Sequence, residues 1–323
     1  MTSVKIHRKE NSKTLLICNE KNGVTYLTFE GFGDDKMCYA YSTRLGGVSK
    51  GSFAEMNLSF TRGDDDGCVL ENYKRMAGVL GAKAEDIVCT YQTHTTNIRQ
   101  VSAADRGKGV VRERDYTDVD GLVTDERGIV LSIFAADCVP LLFYDPVHAA
   151  VGAAHAGWRG SVDNMAEKMV RAMNLLYGTD PADLQCAIGP SICADCYEVS
   201  EDVATEVRRA VAHTSCVSCE QAAGCGFSRA PAQEHTMGKS TGHVCTHTDF
   251  QKKLETVLQP GAHPGKYQLD LWALNRLLLE TAGVQPERIF TTDLCTKCNP
   301  EFLFSHRAMG AQRGSLAAFI TVR

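Results

Sequence analysis

The chain lacks several features that would decide its class at once. Near its N-terminus the only apolar run is Leu15-Leu16-Ile17-Cys18, too short for a secretory leader or a membrane span. A cytoplasmic protein without a membrane partner is therefore expected. No window concentrates enough Lys and Arg to track nucleic acid, and the net charge is −5, so a nucleic-acid partner is not expected either. No sequence repeats at a fixed period. Wholesale disorder is also excluded, because 44% hydrophobic and 23% charged residues supply ample material for a packed core. Cysteine is the exception to this scarcity, at 14 residues. Without a secretory leader these read as reduced thiols rather than as a disulfide framework. A length of 323 residues fits two average domains or one large α/β domain.

The texture of the chain changes along its length. Val24–Phe29 and Cys38–Thr43 read as strands, the second running into the glycine-rich loop Arg44-Leu45-Gly46-Gly47. Cys68–Leu80 has a helical pattern, with Asp64, Asp65 and Asp66 before it, where acidic residues suit a helix N-terminus. The apolar runs Ile129–Phe134, Val139–Tyr144 and Ala149–His155 predict three strands, the last two joined by a turn at Asp145-Pro146-Val147-His148. An amphipathic helix is expected over Ser161–Leu176, with Ser161 as its N-cap. A second αβ stretch follows over 184–213, then a helix over Leu269–Ala282 and a final strand around Ala317–Val322. Residues 214–265 interrupt this pattern with four cysteines, four histidines and much Gly, Ser and Thr, and read as an inserted loop with one helical piece at 249–258.

Two sets of residues have the chemistry of metal ligands. His94, Cys138 and His155 offer two imidazoles and a thiolate, which leaves one tetrahedral position of a zinc ion open, as a catalytic site requires. Cys138 lies at the junction of two expected strands, and His155 shares a strand face with Val151 and Ala153 at the end of the third. Both are places where a side chain can leave a sheet for a cleft. The second set is Cys193-x-x-Cys196 with Cys216-x-x-Cys219, which has the spacing of a structural four-thiolate zinc; Cys295-x-x-Cys298 is a third such pair. Reduced cysteines with no joint role are the plain alternative.

Several strings, taken in order, resemble one family. They are Ser42-Thr-Arg-Leu-Gly-Gly-Val-Ser49, Met56-Asn-Leu58, Tyr91-Gln-Thr-His94, Ala136-Asp-Cys-Val-Pro140 and His155-Ala-Gly-Trp-Arg-Gly160. Ala187-Ile-Gly-Pro190, Cys196-Tyr-Glu-Val199, Asp270-Leu-Trp-Ala-Leu-Asn-Arg276 and Phe304-Ser-His-Arg307 follow. The set resembles the laccase-domain (polyphenol oxidase) family, whose members act as purine nucleoside phosphorylases and adenosine deaminases. The resemblance implies a single α/β domain over 1–323, with layered mixed β-sheets flanked by helices and the 214–265 segment as a loop insertion. It places the family's metal triad on His94, Cys138 and His155, with one zinc per chain expected ahead of copper. It also implies purine nucleosides and phosphate as partners, in phosphorolysis of adenosine, inosine, guanosine and methylthioadenosine, together with deamination of adenosine. Self-association is compatible with it. The chain departs from the family pattern at Thr95, where Gly is usual, and at Ala308 and Met309, where Arg and Asp are usual.

The historical oxidase name fits the residues poorly. None of the ten histidines stands two positions from another, so the His-x-His pairs of a four-copper oxidase are missing. A zinc hydrolase that edits cell-wall precursor peptides is the other alternative. For phosphorolysis, an arginine must offset phosphate charge. Arg44 and Arg159, each close to glycine in a motif loop, are the candidates beside the triad. Asn57, Gln92 and His306 are candidates for substrate binding. Asp137, next to the ligand cysteine, is expected to point away from the metal and to serve a helix or loop, and Trp158 to anchor packing.

Overall fold

The computed structural model describes residues 4–10, 14–216 and 247–323. Two six-stranded mixed sheets stack face to face. The first runs in the order Leu16–Lys21, Val24–Phe29, Met37–Ser42, Leu316–Val322, Val130–Ala135, Ile87–Cys89, antiparallel except for its last pair. The second runs Ile289–Thr291, Gln185–Ile188, Val139–Asp145, Ala150–Ala156, Gly121–Thr124, Ile98–Gln100, with parallel pairs at both edges.

The apolar runs are continuous rather than alternating because each sheet is covered on both faces. In Val139–Asp145, Leu141 and Phe143 pack toward helices, while Leu142 and Tyr144 pack toward the first sheet. Leu131, Ile133, Ala318 and Ile320 come from the first sheet to meet them. The outer face of the first sheet is covered by helix Asp66–Leu80, whose Val69, Tyr73 and Met76 are fully buried. The outer face of the second is covered by helices Met165–Tyr177 and Leu271–Thr281, with Glu201–Cys216 packed against the latter. The result is a mixed α/β stack in four layers.

Local chemistry explains most boundaries. The carboxylate of Asp65 accepts from Cys68 N (2.8 Å), and that of Asp270 from Ala273 N (2.9 Å), each capping the helix that follows. Asp145 Oδ1 accepts from Val147 N and His148 N (2.8 and 3.1 Å), closing the hairpin between the two central strands of the second sheet.

Two expectations need correction. The helix foreseen from Ser161 begins earlier, at Trp158, and is broken: Trp158–Val162 ends at Asp163, Asn164 turns left-handed (φ 62°), and Met165–Tyr177 begins anew. Asn is one of the few residues that enters this region readily. Ser161 is therefore inside a helix, its hydroxyl accepting from Asn275 Nδ2 (2.9 Å), and is not a cap. The 214–265 segment is also not all insertion. Helix His247–Val257 and strand Leu258–Pro260 rejoin the fold, with Val257 and Leu258 buried and Leu258–Pro260 paired to Lys266–Leu269. Residues 217–246 lie outside the described residues.

Candidate metal centre and its cavity

Register brings two of the three candidate ligands together. Val139 pairs with Ala156 and Pro140 with His155 across the central hairpin, so Cys138 and His155 emerge at the same end of the second sheet. His94 arrives from the loop after Ile87–Cys89, at the edge of the first sheet. The centre thus forms where the open ends of the two sheets meet. The His94 and His155 rings are edge to face at 4.9 Å, and His94 Nε2 is 4.0 Å from Cys138 Sγ. All three ligand atoms lie within 4.8 Å of one another. Tetrahedral zinc would separate a nitrogen and a sulfur ligand by about 3.6 Å, so an ion need draw His94 and Cys138 together by only a few tenths of an ångström.

Two backbone features set this geometry. His94 (φ 66°) and Asp137, the residue before Cys138 (φ 92°), both adopt left-handed conformations. Such strain in non-glycine residues persists only where the surroundings over-determine it. At Gly157, a Cβ would lie 3.0 Å from Cys138 Sγ and 3.1 Å from the His94 ring. Only glycine leaves the thiol and imidazole room to converge there.

Asp120 organises the centre. It is fully buried. Its Oδ1 accepts from His155 Nδ1 (2.8 Å) and His94 N (3.2 Å). Its Oδ2 accepts from Thr93 N, Thr95 N and the Thr95 hydroxyl (3.0, 3.0 and 3.1 Å). Burial would raise this carboxyl, but the His155 hydrogen bond and the backbone donors outweigh it and hold it below the usual range. With Nδ1 committed to Asp120, His155 presents Nε2 to the cavity, the support typical of a metal-ligating histidine. Burial alone would likewise raise Cys138 and lower His155. Each is overridden by the other, helped by His94 and Asp120, so the thiol falls to about 6 and the imidazole rises to about 9. A thiolate ready to take a cation is the result, and the donor set fits zinc.

The other expected site residues divide. Gln92 and His306 line the cavity. The Gln92 amide is already spent on Phe134, accepting from its N (2.6 Å) and donating to its O (2.9 Å), so it shapes the wall. Asn57 is fully buried and does not line the cavity. It accepts from Ser59 N (3.1 Å) and Ser315 N (2.9 Å), and these two serines are the ones that reach the wall. Arg44 also lies off the cavity: its guanidinium donates to the carbonyls of Ala54 and Pro300 and stacks on Phe304, fastening loops. Arg159 stacks on Trp158 with 4.3 Å to the ring centroid, outside the lining. Asp137 behaves as expected of a loop partner, accepting from the Thr296 hydroxyl and from Arg307 N (both 2.6 Å).

Sequence reasoning missed Asp120 and the arginines that do line the cavity, Arg62, Arg114, Arg307 and Arg313. Closeness to glycine, which suggested Arg44 and Arg159, holds equally for Arg62-Gly63 and Arg313-Gly314. Arg313 is only 5% exposed, burial brings its guanidinium down to about 10, and its Nε has no hydrogen-bond partner. Among the described residues Asp137 is the only carboxylate in the lining, and both its oxygens are taken. The cavity holds about 650 Å³, the size of a small-molecule site, and includes the aromatic rings of Phe60, Tyr91, Phe134 and Tyr197.

The chain is similar to known proteins in both sequence and fold. The family profile described as multi-copper polyphenol oxidoreductase laccase matches residues 38–230 and 232–323. The chain is 33% identical over 287 residues to the purine nucleoside phosphorylase YlmD of Bacillus subtilis, covering 88% of this chain and 87% of that one. It is 30% identical over 277 residues to adenosine deaminase RL5 from an unknown prokaryotic organism, covering 85% and 90%. The crystal structure of YlmD from Geobacillus stearothermophilus superposes with a TM-score of 0.75 at 32% identity, over 95% of this chain and 99% of that one.

Proposed function

The chain belongs to the multi-copper polyphenol oxidoreductase laccase family, and from that premise we propose that it is a zinc-dependent purine nucleoside phosphorylase that also deaminates adenosine. The observation that carries this reading is the charge of the cavity. Four arginines line the cavity that holds the His94–Cys138–His155 centre, and among the described residues its one carboxylate, Asp137, is already hydrogen-bonded through both oxygens. Such a wall suits an anionic second substrate, and inorganic phosphate is the anion that cleaves a nucleoside without water. The similar proteins named as phosphorylases and as an adenosine deaminase support the same assignment.

The residues divide the work by chemistry. Arg313, with its unpartnered Nε, and its neighbour Arg62 would hold phosphate through charge-assisted hydrogen bonds. Tyr91 and Tyr197, braced by Arg114 and Arg307 over their rings (4.7 and 5.1 Å), offer faces for a purine. In phosphorolysis a phosphate oxygen bonds to C1′ as the C1′–N9 bond breaks, and the departing purine takes up a proton. His306, on the wall at the start of helix His306–Met309, is placed to supply or relay one. His94, Cys138 and His155 would hold zinc, which when bound supplies Lewis acidity for polarising substrate oxygen or activating water. Asp120 keeps His155 oriented throughout.

The test is direct. Purified protein given inosine should release hypoxanthine and ribose 1-phosphate only when phosphate is added, and adenosine should yield some inosine. Adenosine, guanosine and methylthioadenosine should also be cleaved. Absence of every product at high enzyme concentration would reject the assignment in favour of the peptide-editing hydrolase, and dioxygen-dependent phenol oxidation with several bound coppers would reject it in favour of the oxidase.

A further inference from the structure

Four cysteines that the catalytic reading leaves unused converge at a second point. Strands Gln185–Ile188 and Ile289–Thr291 are parallel neighbours at the edge of the second sheet, so the loops after them leave side by side. The first loop carries Cys193 and Cys196, the second Cys295 and Cys298. An isolated bridge between Ser191 and Cys295, with Thr296 N donating to Ser191 O (3.1 Å), holds the loops in register. The first pair therefore meets Cys295-x-x-Cys298; of Cys216-x-x-Cys219, the partner first suggested by spacing, Cys219 lies outside the described residues.

The geometry is that of a coordination sphere. All four sulfurs lie within 4.8 Å of one another, and Cys196 Sγ and Cys298 Sγ are 3.5 Å apart. A disulfide would bring two sulfurs to about 2.05 Å, and none of the four is bonded. Four thiolates around a single zinc, at about 2.3 Å each, would be about 3.8 Å apart. Clusters of two or more irons would spread the sulfurs beyond one atom's reach.

The backbone is shaped for thiolates. Cys193 N donates to Cys295 Sγ (3.3 Å), and the N–H groups of Cys196 and Cys298 face the sulfurs of Cys193 and Cys295. Lys9 reaches Cys193 and is anchored on Asp195 (2.7 Å), which puts a positive charge beside the group. A divalent ion on four thiolates carries net negative charge, and that lysine offsets part of it. Ordinary buried thiols, packed as small apolar groups, need neither the donors nor the cation.

We propose that Cys193, Cys196, Cys295 and Cys298 bind a second metal ion, a structural zinc closed by four thiolates, which clamps two loops beneath the catalytic cavity. The link to the cavity is short. Asp137, next to Cys138, accepts from Ile192 N through its carbonyl (3.0 Å) and from the Thr296 hydroxyl through its carboxylate (2.6 Å). Each of those donors adjoins a clamping cysteine.

Metal content of the full-length chain tests this separately from the catalytic reading. As purified, the protein should hold about two zinc ions per chain by mass spectrometry. Cys138→Ala should keep about one, and the double variant Cys196→Ser with Cys298→Ser should also keep about one while its Tm falls by about 10 °C. Where the double variant does not fold, Cys138→Ala settles the question alone: reconstituted with cobalt, it should show the intense thiolate-to-metal charge transfer and visible bands of a tetrahedral four-sulfur site. A Cys138→Ala chain that binds no metal, with these four thiols freely titrated by a disulfide reagent or oxidised in pairs, would overturn the proposal. Iron in place of zinc, with the red colour of a ferric tetrathiolate, would overturn the zinc assignment.

Discussion

The two ligand groups differ in ways that follow from where their residues sit in the fold. The His94–Cys138–His155 centre draws on both sheets, opens on a cavity of about 650 Å³ and offers three donors. The four-cysteine group draws on two neighbouring loops of one sheet edge, has two of its thiols fully inside the core, and offers four donors. An ion in the first keeps a position for substrate, and an ion in the second keeps none. The supports differ to match. The open centre is held by a buried carboxylate taking five hydrogen bonds, which fixes ring orientation. The closed group is held by backbone N–H groups aimed at sulfur. The geometry of the open centre thus depends on side chains, while that of the four-cysteine group depends mainly on the path of the main chain.

The largest effect that separates the two should come from Cys138→Ala. It removes the only thiolate of the open centre, and turnover should fall about a thousandfold or more, since a Lewis-acid metal is worth several kcal/mol in the transition state. Folding should survive, because the hairpin pairs from Val139 to Asp145 without that side chain. Wild-type turnover in Cys138→Ala after chelation would break the comparison, leaving the open centre no catalytic part.

A smaller, more selective effect should come from the arginines. Arg313→Met should weaken phosphorolysis by roughly 2–4 kcal/mol in transition-state stabilisation while leaving zinc content unchanged. Adenosine deamination, which needs no phosphate, should suffer less. Arg44→Met should do the reverse: it removes contacts to Ala54 O and the Phe304 ring, so melting temperature should fall with little change in phosphate dependence. Phosphate titrations of both variants check this, and a larger rise in phosphate KM for Arg44→Met than for Arg313→Met would reverse the assignment.

The sequence showed the ligands more readily than their supports. His94, Cys138 and His155 were legible because each sits in a distinctive string, and the strands around Cys138 because both their faces are apolar. Asp120 was not, since a single Asp before a short strand has no local mark; its role arises only when the Gly121–Thr124 strand pairs with Ala150–Ala156 and sets it beside His155. Arginine close to glycine was a signal with too many instances to choose among, and it singled out two that lie off the cavity. The Cys193 and Cys295 pairs are separated by 102 residues, and only the parallel pairing of two edge strands, which no local pattern reveals, brings them together. The helix break at Asn164 was hidden for the opposite reason: apolar periodicity continues across it while one left-handed residue redirects the chain.

The smallest expected effect concerns Thr95, which stands where the family usually has glycine. Its hydroxyl donates to Asp120 Oδ2 at 3.1 Å, one of five donors converging on that carboxylate. Thr95→Ala removes this donor and keeps the backbone N–H that makes the parallel contact at 3.0 Å. Four donors remain, three of them the backbone N–H groups of Thr93, His94 and Thr95, so the loop should stay in place. The loss should be about 1 kcal/mol, near the net worth of one hydrogen bond, and should show as roughly fivefold weaker zinc binding at the open centre. Competition with a chromophoric chelator measures it, with the four-cysteine zinc as an internal reference that should not change. Thr95→Gly should lose the same hydroxyl and slightly more, because glycine also frees the backbone of a loop that must hold His94 left-handed. Equal, small losses in both variants would mean that the hydroxyl is an added tie in a network already sufficient without it. A loss of a hundredfold in Thr95→Ala would mean instead that this chain has shifted the orientation of His94 onto a side chain the usual glycine cannot supply.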